Sequence, residues 1–379
     1  MLVPHHTNDR NDRPMMHAPT LAGLLGLTCA LAAQDSGIDR LTAQLQWSQD
    51  PPRSTAAVVV MPTVGDRIEL AFDAHSRLQL QRRDEGGATS KRAAFLISVP
   101  GPFTARAMSP HEILVAMDTS NASSEATVFA FVRDGADAEF VLVGQAVLRQ
   151  IAWKDRDSGA ELSQGPDFAK VVCWDRAALT AQVAFAWRGA PQVVLGEVAL
   201  GDMRPREVEQ QGQRLRTHPM PRFVEVRGQP LGAVGGTDVE CAEADGSLLA
   251  FVRQQPTAMR RAPVRLCVRD REGTWTSSRQ DLPGILVEPG FVVWRDDRGA
   301  VHLTTPLSIY AGGQLRQSLR TYRWDPTHDR DSGVVAAQFG WAGRLQQGTP
   351  LQMVRAADGA PTIVLQQEDG EIVTCAQDR

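Results

Sequence analysis

A short phrase that recurs along this 379-residue chain constrains its fold more than any other feature. Each copy is a run of apolar residues with strand character that ends in an arginine, and the copy at Val128–Gly135 continues directly into a turn. The copies end at these arginines: Arg82, Arg133, Arg188, Arg253, Arg295 and Arg355. Successive arginines are 51, 55, 65, 42 and 60 residues apart, so the chain is predicted to contain six similar units.

The units are predicted to be β-meanders. From Ala56 onward, runs of apolar, β-branched and aromatic residues alternate with Gly, Pro, Asp and Asn, and helical periodicity is almost absent. Several runs are separated by Asp-Gly pairs, which suit tight hairpins because glycine adopts positive φ without strain. Meanders repeated about every 50 residues predict an all-β fold, a six-bladed β-propeller over residues 56–379, with seven blades as the alternative.

The spacing also predicts where the blades begin and end. The predicted blades are residues 64–101, 102–150, 151–205, 222–283, 284–332 and 333–379. The polar stretch Arg204–Pro221 is interpreted as an insertion between blades. A strand at Val58–Met61 is predicted to join the last blade and close the ring, which would remove exposed sheet edges.

The N-terminal region has the pattern of an export signal. The apolar run Leu21–Ala33 is shorter than the roughly 20 residues that a membrane-spanning helix needs, and its Ala30-Leu31-Ala32 matches a signal peptidase site. Residues 1–33 are therefore predicted to be a signal peptide and residues 34–55 a lead-in linker, with a lipid anchor at Cys29 as an alternative. The mature protein is expected to be secreted or periplasmic, and no later segment is expected to span a membrane.

Export would place four cysteines, Cys173, Cys241, Cys267 and Cys375, in an oxidising compartment. Cys241 and Cys267 lie within one predicted blade and are the favoured disulfide pair, while four buried thiols fit the sequence equally well. No CxxC pair is present and the histidines are scattered, so neither a zinc site nor any other metal is predicted.

Charge and motif content exclude several function classes. The net charge of −4 and a pI near 6.1 leave no basic footprint for nucleic acid. The sequence has no Gly-rich phosphate loop, nucleophile elbow or dinucleotide fingerprint, so no cofactor is predicted. We expect a monomer that binds a glycan or a protein partner.

The arginines that end the repeated strands are the first candidates for a ligand site. If they occupied equivalent positions in successive blades, several of Arg133, Arg188, Arg253, Arg295 and Arg355 would form a ring at one mouth of the propeller, where guanidinium groups bind carboxylates. The alternative interpretation is that they are solvated strand ends.

Tryptophans and aspartates near the same strands are further candidates. Trp174 and Trp294, together with Trp187, could stack on sugar rings, or they could pack between blades. A pair among Asp118, Asp175 and Asp296 could hydrolyse a glycosidic bond, although aspartates after strands are also what turns require.

Two segments resemble the sialidase-like propellers that carry Asp-box (BNR) repeats. Asp270–Trp275 is similar to the end of the family's S-x-D-x-G-x-T-W box, with a longer Asp-to-Gly spacing, no residue between Gly and Thr and no leading serine. Phe291–His302 resembles the opening of such a blade. The resemblance implies the propeller fold, because Asp boxes are structural turns remote from the family's active site. It also implies which residues an active sialidase would need, namely three arginines that hold an acidic sugar and a tyrosine nucleophile. Tyr310 and Tyr322 are the only tyrosines here.

These observations favour a secreted or periplasmic propeller that acts as a binding or interaction module for glycans or acidic ligands. The alternative is a sialidase-like carbohydrate-active hydrolase. Propellers host both kinds of function, so the sequence leaves open whether the chain is an enzyme.

Overall fold

The fold is described from a computed structural model. It covers residues 56–60, 67–72, 75, 77–83, 89–96, 101–121, 124–154, 158–163, 165–187, 192–204, 206–210, 213–217, 219–233, 238–244, 247–254, 261–311, 314–324, 334–345, 351–355, 361–367 and 371–376. The predicted signal peptide and lead-in linker, residues 1–55, lie outside the described residues. No helix in the described part of the chain is long and apolar enough to cross a membrane.

The first three blades follow one another along the chain. The first contains β1 (Ala56–Val60), β2 (Arg67–Phe72), β3 (Arg77–Arg83) and β4 (Thr89–Leu96). The second contains β5 (Phe103–Ser109), β6 (Glu112–Asn121), β7 (Ser124–Val132) and β8 (Val141–Lys154), and short β9 (Glu161–Ser163) follows it. The third contains β10 (Phe168–Asp175), β11 (Thr180–Ala186) and β12 (Gln192–Ala199); then come β13 (Gly201–Asp202), the hairpin β14 (Arg206–Gln210) and β15 (Gln213–Thr217), and finally β16 (Arg222–Ala233).

The remaining strands form three more meanders. The fourth blade contains β17 (Val239–Ala244), β18 (Ser247–Arg253), β19 (Ala262–Arg269) and β20 (Trp275–Val287). The fifth contains β21 (Val292–Arg295), β22 (Val301–Ala311), β23 (Gln314–Trp324) and β24 (Val334–Gly343). The sixth contains β25 (Gln352–Arg355), β26 (Pro361–Gln366) and β27 (Ile372–Ala376), three strands among the described residues.

The first strands of successive blades lie side by side. β1 contacts β5, β5 contacts β10, β10 contacts β17, β17 contacts β21 and β21 contacts β25. This succession of inner strands, each continued outward by its own antiparallel meander, is the arrangement of a six-bladed β-propeller, and the predicted fold is confirmed. We call the end at which the inner strands begin the upper end and the end at which they stop the lower end.

Strand patterns follow from burial on both faces of each blade. In β7, Val128 and Ala130 pack into the cluster shared with the third blade, whereas Phe129 and Phe131 pack into the cluster shared with the first. Because successive side chains of a strand point to opposite faces, a blade between two neighbours needs a continuous apolar run. The phrase Val128–Val132 is such a run, and all five of its residues are buried.

Two predicted boundaries are wrong. β1 pairs with β2, with Val58 opposite Glu69, so the described part of the strand predicted at Val58–Met61 belongs to the first blade. Among the described strands, β1 does not pair with the last blade. β16 was expected to open the fourth blade at residue 222, but it is the outer strand of the third, because its second half pairs with β12. Its first half pairs in parallel with β8, which joins the outer edges of the second and third blades.

Two glycines permit this crossing of strands. Gly196 of β12 lies opposite Gly228 of β16. A Cβ atom on Gly228 would lie 2.1 Å from Cγ1 of Val194, and one on Gly196 would lie 2.4 Å from Cγ1 of Val226. A side chain at either position would therefore overlap a valine methyl group of the partner strand.

Candidate functional site

Three inner strands bring ionised side chains together beside the axis. Arg106 comes from β5, Lys170 from β10 and Glu240 from β17, three successive blades. Arg106 Nη1 lies 2.7 Å from Glu240 Oε2, and Lys170 Nζ pairs with Glu240 Oε1 and donates to the Val239 carbonyl at 3.4 Å. The Glu240 side chain is 4% exposed, that of Lys170 13% and that of Arg106 27%, so the site is deep but open on the Arg106 side.

A second ion pair adjoins the first. Arg253 Nη1 donates to Asp238 Oδ2 at 3.1 Å, and the Arg253 backbone N–H donates to the Asp238 carbonyl at 2.9 Å. The other carboxylate oxygen of Asp238 accepts the Gly290 N–H at 3.4 Å. The Arg253 side chain has no exposed surface. The pair therefore ties the upper ends of β17 and β18 to the loop that leads into the fifth blade.

The two carboxylates respond to this environment in opposite directions. Burial alone would raise the pKa of the Glu240 carboxyl, but the Arg106 and Lys170 cations outweigh it and hold that pKa below its ordinary value. Burial raises the pKa of the Asp238 carboxyl above its ordinary value, although Arg253 and Lys170 oppose the shift. Glu240 is thus held as an anion, and Asp238 is the more readily protonated of the two.

The described ion pairs of this site join three cations, Arg106, Lys170 and Arg253, to two carboxylates, Asp238 and Glu240. We call these five side chains the axial cluster. Arg106 is the most exposed member. The chemistry suits an added anion, since a guanidinium makes its strongest hydrogen bonds to carboxylate, phosphate or sulfate oxygens.

The described arginines of the predicted ring do not occupy equivalent positions, because the repeated phrase lies on different strands in different blades. Arg133 follows the third strand of its blade and Arg295 ends a first strand, which places both at the lower end. Arg253 ends a second strand at the upper end. Arg188 lies outside the described residues, and of Arg355 only the backbone is described.

Each described arginine of the set has local partners. Arg133 is 2% exposed, donates to the carbonyls of Pro110 and Ala136, and lies over the Phe140 ring. Arg295 donates to the Gly299 carbonyl in the turn that follows it and, at 2.8 Å, to the Glu243 carbonyl of the fourth blade. These contacts stabilise turns and join neighbouring blades. Of the described arginines in the predicted set, only Arg253 belongs to the axial cluster.

The tryptophans pack within the fold. Trp294 is 5% exposed, donates to Thr304 Oγ1 at 2.9 Å and stacks on His302 at 4.3 Å. Trp187 stacks on Trp153 with centroids 4.0 Å apart. Trp174 is partly buried against the cluster between the second and third blades. The geometry matches the alternative interpretation, packing between blades.

The three candidate aspartates belong to three different blades. Asp118 lies at the upper end, opposite Ala126, whereas Asp175 and Asp296 follow inner strands at the lower end. Oδ1 of Asp175 accepts backbone N–H groups two and three residues on, and Oδ1 of Asp296 accepts them two and four residues on. Both are turn residues.

The segments that resemble Asp-box blades contain two turns of the same construction. Asp270 Oδ1 accepts the Thr274 N–H at 2.7 Å, and Asp296 Oδ1 accepts the Ala300 N–H at 2.9 Å. Gly273 and Gly299 take positive φ at the third position after each aspartate. These are structural turns, as the resemblance implied.

Tyr322, the tyrosine whose side chain is described, lies outside the axial cluster. Tyr322 is 4% exposed in the apolar core between the fourth and fifth blades, and of Tyr310 only the backbone is described.

The four described cysteines are thiols, so the favoured disulfide between Cys241 and Cys267 is absent from the structure. Ala250 lies between these two cysteines, on the intervening strand, which separates their Cα atoms by about 10 Å, beyond disulfide reach.

Four of the five residues that form the axial cluster were not predicted from the sequence. Arg106, Lys170, Asp238 and Glu240 carry no motif, but Arg106 is the single charge of β5, and Lys170 and Glu240 each share a largely apolar strand with one other charge. Lys170 is also one of only three lysines in the chain. A charge within a strand buried on both faces is the signal that could have found them, since such a charge requires a partner.

The molecule is thus a six-bladed propeller with a cluster of ion pairs beside its axis. No protein-family model matches the sequence, and neither does any curated protein. Similar solved structures include a subtype N10 neuraminidase-like protein from a little yellow-shouldered bat isolate, at 9% identity and a TM-score of 0.41, covering 86% of this chain and 94% of that one. Another is the Aleuria aurantia lectin, a six-bladed β-propeller described by its fucose recognition, at 9% identity and a TM-score of 0.36, covering 85% and 91%. At these identities and TM-scores the neighbours assign neither a superfamily nor a ligand to this chain.

Proposed function

We propose that the protein is an exported propeller that binds an acidic ligand, such as a glycan bearing a carboxylate or sulfate, at the axial cluster. The observation that carries the proposal is the exposure of Arg106, whose guanidinium is the most accessible charged group of the five side chains in the axial cluster. Export rests on the signal-like pattern of residues 1–33, so we propose a secreted or periplasmic location for the mature chain.

Each side chain has a role in this mechanism. Arg106 donates to the ligand anion from the open side of the site. Glu240, held ionised by Arg106 and Lys170, fixes the direction of the guanidinium, and the Asp238–Arg253 pair braces the strand that carries Glu240. Because the guanidinium is already held in place before binding, little conformational entropy is lost when the ligand arrives.

Calorimetry with acidic and neutral glycans selected on an array tests the proposal. Arg106→Gln removes the exposed cation but leaves Glu240 paired with Lys170. Losing charge-assisted hydrogen bonds of about 1.5–3 kcal/mol predicts affinity reduced by roughly 10- to 150-fold. Arg298→Gln, at an exposed turn position, is the matched control. Equal binding of neutral and acidic glycans, or unchanged affinity in Arg106→Gln, would contradict the proposal.

Glycoside hydrolysis is the second candidate, and one observation favours it. Asp238 immediately precedes β17, Glu240 is its second residue, and the pKa values of the two carboxyls move in opposite directions, as an acid and its partner base require. Against it, each carboxylate is engaged by a cation. A fluorogenic glycoside panel decides the matter: turnover that Glu240→Gln and Asp238→Asn both abolish would support hydrolysis, and no turnover by the parent chain would refute it.

A further inference from the structure

The boundary between the third and fourth blades gathers three cysteines. Cys241 of β17 and Cys267 of β19 lie in the apolar cluster that fills this boundary, and Cys173 of β10 packs against the same cluster. Cys241 and Cys267 are held apart by the strand between them, with Ala250 opposite both. Any cross-link within the cluster must therefore involve Cys173.

A bulge turns Cys173 toward the fourth blade. The register of β10 against β11 shifts between Val171 and Cys173. Val171 packs in the cluster shared with the second blade, whereas Val172 and Cys173 both belong to the boundary with the fourth. One irregularity in the strand thus places the Cys173 thiol on the side of the sheet that the fourth blade covers.

Cys241 lies on the strand adjacent to β10. β10 and β17 are neighbouring inner strands in contact, and the Lys170–Glu240 ion pair joins them directly. Cys241 follows Glu240 in sequence, and Cys173 comes three residues after Lys170. Cys267 is on the third strand of its blade, farther from the axis.

We propose that Cys173 and Cys241 are a cross-linking site, which a low-molecular-weight disulfide of the glutathione type converts into a disulfide between the third and fourth blades. The Cys173 thiolate, on a partly exposed residue, attacks one sulfur of the oxidant, breaks its S–S bond and releases one thiolate. The Cys241 thiolate then attacks Cys173 Sγ in the mixed disulfide and releases the second. Two protons and two electrons leave the protein thiols, and the oxidant becomes two thiols.

Burial sets the rate of this reaction. It raises the pKa of the Cys173 thiol and, more strongly, that of the Cys241 thiol, and nearby carboxylates act in the same direction. Because only the thiolate attacks, cross-linking is expected to be slow at neutral pH and faster in mildly alkaline solution. The bond would fix the two strands that carry Lys170 and Glu240, independently of what the axial cluster binds.

Peptide mapping of the native, unaltered chain tests the proposal. Trypsin places the four cysteines in four different peptides, residues 171–176, 228–253, 266–269 and 356–379. The folded protein is incubated with oxidised and reduced glutathione, quenched in acid, alkylated and digested. The expected result is the loss of two alkylatable thiols and a reducible link between peptides 171–176 and 228–253. A link from 171–176 to 266–269, or full alkylation of both peptides after prolonged oxidation, would overturn the proposal.

Three variants sharpen the assignment. Cys241→Ser should trap glutathione on peptide 171–176, because the second attack is lost. Cys267→Ser and Cys375→Ser are matched controls and should still form the link. Since the unaltered chain supplies the primary measurement, poor folding of a variant leaves the test decisive.

Discussion

The buried ion pair between Arg253 and Asp238 offers the sharpest test of the axial cluster. Arg253→Met keeps most of the side-chain volume and removes the cation. The Arg253 side chain is 0% exposed and that of Asp238 13%, so water cannot replace the lost partner. Breaking a buried pair in this way costs about 3–5 kcal/mol of unfolding free energy, because one charge is left uncompensated.

Protonation of Asp238 limits this loss. In the variant the carboxyl can escape its buried charge by taking up a proton, which at pH 7 costs about 4 kcal/mol relative to its ordinary pKa of 3.8. A carboxyl whose folded pKa is raised gives stability that is present below the unfolded pKa and is lost as the pH rises through the folded one. The deficit of Arg253→Met should therefore be largest at neutral pH and shrink toward about pH 4.

Urea unfolding followed by tryptophan fluorescence measures the effect, and Arg298→Met at the exposed turn is the control, expected within about 0.5 kcal/mol of the parent. Adding Asp238→Asn to Arg253→Met should recover part of the loss at neutral pH, since no bare charge then remains. A deficit below about 1 kcal/mol, or one that does not change with pH, would refute the reasoning.

Three further perturbations test other parts of the structure by the same unfolding measurement. Gly228→Ala should cost about 1–3 kcal/mol, because its Cβ would lie 2.1 Å from Val194 Cγ1; a neutral result would contradict the described crossing of β12 and β16. Trp187→Ala should cost about 3–5 kcal/mol, since it removes a buried ring stacked on Trp153, and a loss typical of a surface residue would show that the pair is solvated. Glu240→Gln should be most destabilising at neutral pH, and its stability should approach that of the parent in acid. A carboxyl whose folded pKa is lowered stabilises the fold above its unfolded pKa, and this contribution is lost as the pH falls through the folded pKa. A stability difference that does not change with pH would rule out this linkage.

The number of blades could be predicted from the sequence because each copy of the strand–Arg phrase falls in a different blade. Which strand of its blade carries each copy of the phrase could not be predicted. The phrase ends third strands at Arg82 and Arg133, a second strand at Arg253 and a first strand at Arg295. An arginine after any buried strand can satisfy turn carbonyls, as Arg133 and Arg295 do, so the phrase marks a strand end and not a particular strand.

The pairing of β16 shows why the boundaries were harder to predict than the strands. The predicted fourth blade began at residue 222, where a strand does begin, but the partner of a strand is decided by long-range contacts that local patterns do not contain. β16 divides its backbone between β8 and β12 and follows the β14–β15 hairpin, so sequence order alone suggested that it opened a new blade.

Burying the charges of the axial cluster costs desolvation free energy that a purely structural role does not explain. Replacing a buried ion network by apolar residues of similar volume is often neutral or stabilising, so stability alone does not account for Arg106, Lys170 and Glu240 on three adjoining inner strands. The triple variant Arg106→Met, Lys170→Met and Glu240→Leu separates the explanations. If the cluster exists to bind an anion, this variant should unfold at a urea concentration close to that of the parent and bind no acidic ligand. If the cluster specifies how the three blades meet, the variant should lose cooperative unfolding, whatever it binds.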